Sequence, residues 1–414
     1  MKKLVGACIV GQSGGPTAVI NASVQGVVET AMKSDCITRV LGAAYGIRGV
    51  LDDKLYDLGK EDATELALLK HTPSSALGSC RYKLADPDKD DTDYKRILEI
   101  FKKYDVRYFF YIGGNDSMDT CNKISKYMQK VGYECRVIGV PKTIDNDLNG
   151  TDHCPGYASA AKYIATSMAE VWLDTHVYNT GMVTIVEIMG RHAGWLTAAS
   201  ELASLSGCGP DLIYMPETDF DLSDFLDDVG RIYRNTGNCV VAVSEGVHLA
   251  DGSFVSEGKV SATDGFGHAQ LGGLASKLAE AAKLETGAKV RGIELSLLQR
   301  CAAHCASATD VEEAWEAGAA AVEAAVAGMT DKMVVFKCDR EDGAYTCVTS
   351  LEPLEKAANI EKKIPREWIN AAGNGVEPAF LEYVLPLIQG EADAPKENGM
   401  PRFAKLKKVL ATAE

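Results

Sequence analysis

The sequence predicts an α/β protein of two Rossmann-like lobes with mainly parallel sheets. Three observations carry this expectation. Short β-branched or aromatic runs alternate with longer helical patterns, the signature of parallel βαβ units. Several of those runs end in glycine-containing loops that open a helix, as in open α/β sheets. The chain has 414 residues, 46% hydrophobic and 24% charged, enough to bury two large cores without disulfides or structural metals.

Taken in order, the first strand is Leu4–Val10. With Met1-Lys2-Lys3 before it and Cys8 inside it, this run superficially resembles a leader, but it is short and passes straight into a glycine loop. A buried strand is the expectation. Further strands are expected at Arg39–Ala44, Tyr108–Ile112 and Arg136–Val140. Helix Asp93–Tyr104 places Tyr94, Ile97, Leu98 and Phe101 on one face. The segment Leu84–Asp93, with its several Asp residues, reads as a solvated turn. Then come helix Gly156–Leu173 and strands Val183–Ile188 and Asp211–Met215. Helix Ser223–Arg234, strand Cys239–Val243, helix Leu271–Leu284 and strand Lys289–Leu295 follow. The Ala- and Glu-rich helix Val311–Ala327 ends near Gly328, a suitable C-terminal cap, before a last strand at Met333–Lys337. After Ala372 the chain is rich in charge, Pro and Gly, and surface structure is expected.

A net charge of −15 argues against a general nucleic-acid or anionic-membrane binder, since both need basic surface. No apolar stretch approaches the roughly 20 residues of a membrane span. The twelve Cys include no CxxC pair, and Cys301, His304 and Cys305 lack a fourth ligand for zinc. Reduced thiols of a cytoplasmic protein are the reading.

Chemistry concentrates in loops. Gly11-Gln12-Ser13-Gly14-Gly15 follows a strand and opens a helix, where backbone N–H groups and the helix N-terminus favour an anion. It lacks the Lys-Ser/Thr of a P-loop and the spacing of a dinucleotide fingerprint. Gly113-Gly114-Asn115-Asp116-Ser117 and Pro141-Lys142-Thr143-Ile144-Asp145-Asn146-Asp147 close two other strands. All three belong at the carboxyl ends of the sheet, so they can converge.

The last two loops resemble the paired signatures of the phosphofructokinase family. Gly78-Ser79-Cys80-Arg81 lies upstream, and Met189-Gly190-Arg191, Ser244-Glu245-Gly246 and Leu298-Gln299-Arg300 follow in the family's order. The resemblance spans about residues 1–340. It implies a donor lobe over 1–150, a sugar-phosphate lobe over 151–308, a catalytic cleft between them, and crossing helices with a C-terminal helical extension over 309–414.

The roles that the resemblance implies agree with the chemistry of the residues. Phosphoryl transfer needs positioning, charge neutralisation and one proton acceptor. Asp145 is the expected general base, with Lys142 and Asp116 completing the catalytic set. Gly14, Gly15, Arg81, Gly114 and Ser117 would hold the donor. Thr143, Ile144, Asp145, Met189, Gly190, Arg191, Glu245, Gln299 and Arg300 would hold fructose 6-phosphate, with Arg291 supplied across a subunit interface. Guanidinium forks suit its phosphate. Mg2+ is the implied cofactor, with Asn115 and Asp147 as its residues; Asn115 stands where the family usually has Asp. Relatives using ATP carry glycine at the positions of Asp116 and Lys142. The carboxylate would repel a nucleotide α-phosphate, and the ammonium would stabilise charge developing on pyrophosphate. The implied activity is therefore transfer from pyrophosphate to the 1-hydroxyl of fructose 6-phosphate, a reversible step of glycolysis, in a homodimer or homotetramer. The same reaction with ATP, a non-catalytic sugar-phosphate sensor, and an NAD or lipid kinase are the competing readings.

Overall fold

The computed structural model describes residues 3–256, 271–357 and 360–413, so Met1 and Lys2 of the leader-like run lie outside the described residues. The first lobe opens with β1 (Gly6–Gln12), α1 (Ile20–Met32), β2 (Ile37–Ala43), α2 (Ile47–Leu51), β3 (Leu55–Asp57) and α3 (Ala63–Leu68). It continues through α4 (Thr92–Lys103), β4 (Val106–Gly113), α5 (Asn115–Lys130) and β5 (Arg136–Pro141). The second lobe holds α6 (Tyr157–Thr175), β6 (Met182–Ile188), α7 (Trp195–Ala198), β7 (Leu212–Tyr214) and α8 (Leu222–Thr236). It is completed by β8 (Asn238–Ser244), α9 (Leu274–Thr286) and β9 (Val290–Glu294). The chain then returns through α10 (Ala308–Val326), β10 (Lys332–Asp339), β11 (Thr346–Pro353), α11 (Leu354–Ala357) and α12 (Pro378–Val384) to a small hairpin, β12 (Lys396–Glu397) and β13 (Met400–Pro401).

The larger sheet runs β11-β10-β5-β4-β1-β2-β3 and the smaller β7-β8-β6-β9. Pairing is parallel throughout the smaller sheet and from β2 through β1, β4 and β5 to β10 in the larger. Its two outer pairs, β2–β3 and β10–β11, are antiparallel. Parallel strands must be covered on both faces, which explains their near-continuous apolar sequence. Ile9 packs into the core on one face, while Cys8 and Val10 pack on the other.

The extension carries the short helices α11 and α12 and, in addition, the strand pair β10–β11. Met333 and Val335 of β10 enter one core and Val334 and Phe336 the other, so this strand is built like a central one. β11 alternates exposed and half-buried residues, as an edge strand facing solvent does. Local chemistry sets the helix ends. The Asp221 carboxylate accepts from the N–H groups of Ser223 (2.7 Å) and Asp224 (3.1 Å) at the start of α8. Among the described residues, no helix is long and apolar enough to cross a membrane.

Candidate active site

Six strand ends point into one cleft of about 250 Å³ between the sheets. From the larger sheet, β1 delivers Gly14 and Gly15, β4 delivers Gly114 to Ser117, and β5 delivers Lys142 to Asp147. From the smaller, β6 delivers Met189 and Arg191, β8 delivers Glu245, and the turn after β9 delivers Arg300. Arg81 enters from the segment before α4. An adjoining hollow of about 400 Å³ shares Arg81, Met189, Arg191, Glu245 and Arg300 and adds Gln299. Residues scattered over more than two hundred positions meet here because parallel βαβ units place every strand's carboxyl end on the same edge.

The two glycines of the first loop permit close approach of cations. A Cβ on Gly14 would lie 3.4 Å from Lys142 Nζ, and one on Gly15 3.2 Å from an Arg300 guanidinium nitrogen. Lys142 is buried at the base of the cleft, where its Nζ donates to the Gly15 carbonyl at 2.6 Å. Burial pushes its ammonium down to about 8, partly offset by the Asp145 carboxylate. Thr143 Oγ1 accepts from the Asp145 amide at 3.1 Å and fixes that turn. Asn146, at φ 55°, holds the left-handed conformation that Asn tolerates. Its side chain donates to the Tyr383 hydroxyl (2.8 Å) and accepts from the Cys154 amide (2.9 Å), so Asp145 and Asp147 sit on either side of an anchored residue. Burial raises Asp145 above the usual carboxylate range, while Lys142, Arg191 and Arg81 pull the other way.

Asn115 Nδ2 donates to Asp147 Oδ2 at 3.1 Å. That turns Asn115 Oδ1 away, and it is buried with no hydrogen-bond partner among the described residues. Burial, reinforced by Asp145 and Glu361, raises Asp147 to about 7. An amide oxygen without a donor beside two carboxylates is a donor set of the kind hard cations take. Asp116 stands in the first turn of α5 and lies 3.6 Å from the Lys83 ammonium.

On the opposite wall, the Gly190 amide donates to Glu245 Oε1 at 3.4 Å and the Met189 amide to Gln299 Oε1 at 3.1 Å. Burial raises Glu245 to about 7. Arg81, Arg191 and Arg300 form a cationic rim close enough that the other two depress the Arg81 pKa, after burial itself. Arg291 does not enter this cleft. It stands half-exposed on β9, at the edge of the smaller sheet, 3.9 Å from Asp174.

Sequence reasoning missed Pro16, His192, Ala193 and Glu361, which also line the cleft. His192 directly follows Met189-Gly190-Arg191 and could have been taken with it. Glu361 had no such signal. It arrives from the extension, where it bridges to Leu148 while the Lys362 amide donates to the Asp147 carbonyl at 2.7 Å.

Two sheets facing each other across a cleft of guanidinium, ammonium and carboxylate groups define the class, a two-lobed α/β phosphotransferase. Within that class, the chain belongs to the phosphofructokinase family, whose pattern it matches over residues 7–325. It is 45% identical over 401 residues to a pyrophosphate--fructose 6-phosphate 1-phosphotransferase of Halomonas elongata, covering 96% of this chain and 95% of the relative. A protein of the same name from Xanthomonas campestris is 46% identical, covering 98% and 97%. Among solved structures, the pyrophosphate-dependent phosphofructokinase of Nitrosospira multiformis superposes with a TM-score of 0.89 at 40% identity, covering 99% of this chain and 98% of the other.

Proposed function

We propose that this chain moves a phosphoryl group from pyrophosphate to the 1-hydroxyl of fructose 6-phosphate, giving fructose 1,6-bisphosphate and phosphate. The observation that carries the reading is Lys142, an ammonium buried against the Gly15 carbonyl beside Asp145. It sits where a donor lying on Gly14 and Gly15 would need charge neutralised.

Asp145 accepts the 1-hydroxyl proton as that oxygen attacks phosphorus, and Thr143 holds the carboxylate's loop in place. Lys142 and Arg81 take up negative charge as the bridging oxygen of pyrophosphate leaves with phosphate. Gly114 and Ser117, at the start of α5, offer backbone and hydroxyl groups to the donor. Arg191 and Arg300 hold the 6-phosphate, and Glu245 accepts from sugar hydroxyls over the surface made by Ile144, Met189, Gly190 and Gln299. Asn115 Oδ1 and Asp147 would hold Mg2+, which when bound neutralises phosphate oxygens.

The reading extends to assembly and location. The chain acts as a homodimer in the cytoplasm, where reduced thiols are the norm. Arg291 completes the partner's sugar-phosphate site.

The test is a coupled assay for fructose 1,6-bisphosphate that compares pyrophosphate with ATP in the wild type and in Asp116→Gly. Two unit charges about 4 Å apart repel by about 4 kcal/mol at an effective dielectric near 20, less where Lys83 screens them. Wild type should therefore use pyrophosphate, and Asp116→Gly should gain measurable ATP use. A wild type that prefers ATP would refute the donor assignment.

A further inference from the structure

We propose that Cys338 and Cys347 form a peroxide-reactive thiol pair, with Cys338 as the attacking sulfur and Cys347 as the resolving one. The two are direct register partners in the antiparallel β10–β11 pair. Opposed residues of such a ladder have Cα atoms about 4.5–5.5 Å apart, inside the window a disulfide requires. In the described strands no other two cysteines are register partners. Both are half-buried rather than sealed in a core.

The surroundings of Cys338 favour a thiolate. Its Sγ lies 3.8 Å from His153 Nδ1 and 3.6 Å from the Tyr345 hydroxyl. His153 is fully buried, yet Asp152 at 3.0 Å and Glu313 at 2.6 Å hold both ring nitrogens as donors. These contacts outweigh burial and keep the ring an imidazolium. A hydrogen bond from Cys347, and then the His153 ring, hold Cys338 below the usual thiol range and leave the remaining proton on Cys347. By contrast, burial pushes Cys8 and Cys154 up to about 12. The cluster also borders a cavity, although neither sulfur lines it. This cavity, of about 830 Å³, is lined by Asp152, Arg340 and Tyr345, all members of the same cluster.

The chemistry balances. The Cys338 thiolate attacks one peroxide oxygen; an S–O bond forms, the O–O bond breaks, and the departing oxygen takes a proton to leave as water. The Cys347 sulfur then displaces hydroxide from the sulfenic acid. An S–S bond forms, and the hydroxide leaves as water with the Cys347 proton. The peroxide is reduced by two electrons and the dithiol oxidised by two.

Asp152, His153 and Cys338 also place ligand atoms within 4.8 Å of one another, which raises zinc as an alternative. Arg340 already occupies both Asp152 oxygens at 2.9 and 2.8 Å, and the His153 proton blocks Nδ1, so the dithiol reading is favoured.

The experiment treats the purified full chain with hydrogen peroxide, counts free thiols and maps the linked peptides. Two of the twelve thiols should disappear first, in one Cys338–Cys347 linkage that dithiothreitol reverses. Cys347→Ser should form no such linkage and instead accumulate a sulfenic acid at Cys338, trapped by a cyclic dione. Its turnover before oxidation should be unchanged, because neither thiol lines the catalytic cleft. His153→Gln should slow the oxidation by at least about tenfold. First loss of thiols elsewhere with this pair intact would overturn the proposal. So would one bound zinc per chain that shields both cysteines until a chelator removes it.

Discussion

Lys142 and Asp145 sit three positions apart at the end of β5 and pose opposite electrostatic problems. The ammonium is pushed down to about 8 by burial, and the carboxyl is pushed up by burial, yet each lowers the other's cost. A phosphoryl donor lying over Lys142 needs the charged ammonium. In the free enzyme Lys142 carries its proton below about 8 and loses it above. The expected result is that kcat/KM for pyrophosphate falls as pH rises through about 8, and that Lys142→Arg removes that limb. A profile that stays flat to pH 10 in the wild type would exclude Lys142 as the group responsible. Asp145→Ser should fold and bind both substrates but lose roughly 10²–10⁴-fold in kcat, the usual contribution of a general base. Wild-type turnover in that variant would end the assignment. Both residues were legible because their motif packs a cation and four polar groups into one strand-end loop. Glu361 was not, because nothing in the local sequence of the extension says that it returns to the Asp147 loop.

The elements were legible where burial on both faces forces apolar runs. β1, β4, β5 and β8 all stand within two residues of their expected ends. β11 was missed because an edge strand with one solvent-facing side alternates weakly and carries no such run. What no periodicity reveals is how closely two helices approach, and α1 and α10 make the point. A Cβ on Gly26 of α1 would lie 2.0 Å from the Trp315 carbonyl oxygen, and one on Gly318 of α10 2.1 Å from that of Ser23. The helices therefore cross backbone against backbone, with each glycine facing the other helix. Neither obstacle is a flexible side chain that could turn aside. Gly26→Ala and Gly318→Ala should each cost about 1–3 kcal/mol by overpacking, read as a lower urea midpoint with an unchanged slope. An unaffected midpoint in both would mean that the two helices can separate freely. Because α10 leads directly to β10 in the larger sheet, loosening this crossing should also lower activity without touching a cleft residue.

At the scale of the whole molecule, the cleft is assembled by a chain that leaves the first lobe after β5, builds the second, and returns through α10 to add β10 beside β5. Each lobe thus supplies one wall, and the second lobe's wall, proposed above to hold the sugar phosphate, lacks one cation expected there. Arg291 is on the outer edge of the smaller sheet, half-exposed and tied only loosely to Asp174 at 3.9 Å. Further along the same segment, Leu297 and Leu298 are exposed, 55% and 56% accessible, on the turn that delivers Gln299 and Arg300 to the cleft. An exposed cation on an open sheet edge, with exposed leucines later in the same segment, suits an isologous contact in which each copy lends its arginine to the other. That arrangement has a consequence that no monomer can imitate. Arg291→Ala should raise the KM for fructose 6-phosphate, and Asp145→Ser should abolish turnover. Yet refolding the two inactive or impaired proteins together should restore activity at low sugar phosphate. Half of the dimers would be mixed, and each mixed dimer would hold one intact site, built from Asp145 of one copy and Arg291 of the other. The mixture should reach about a quarter of the wild-type rate, the statistical value for random pairing of two subunits. Activity no greater than the average of the separate proteins would place Arg291 outside the catalytic site.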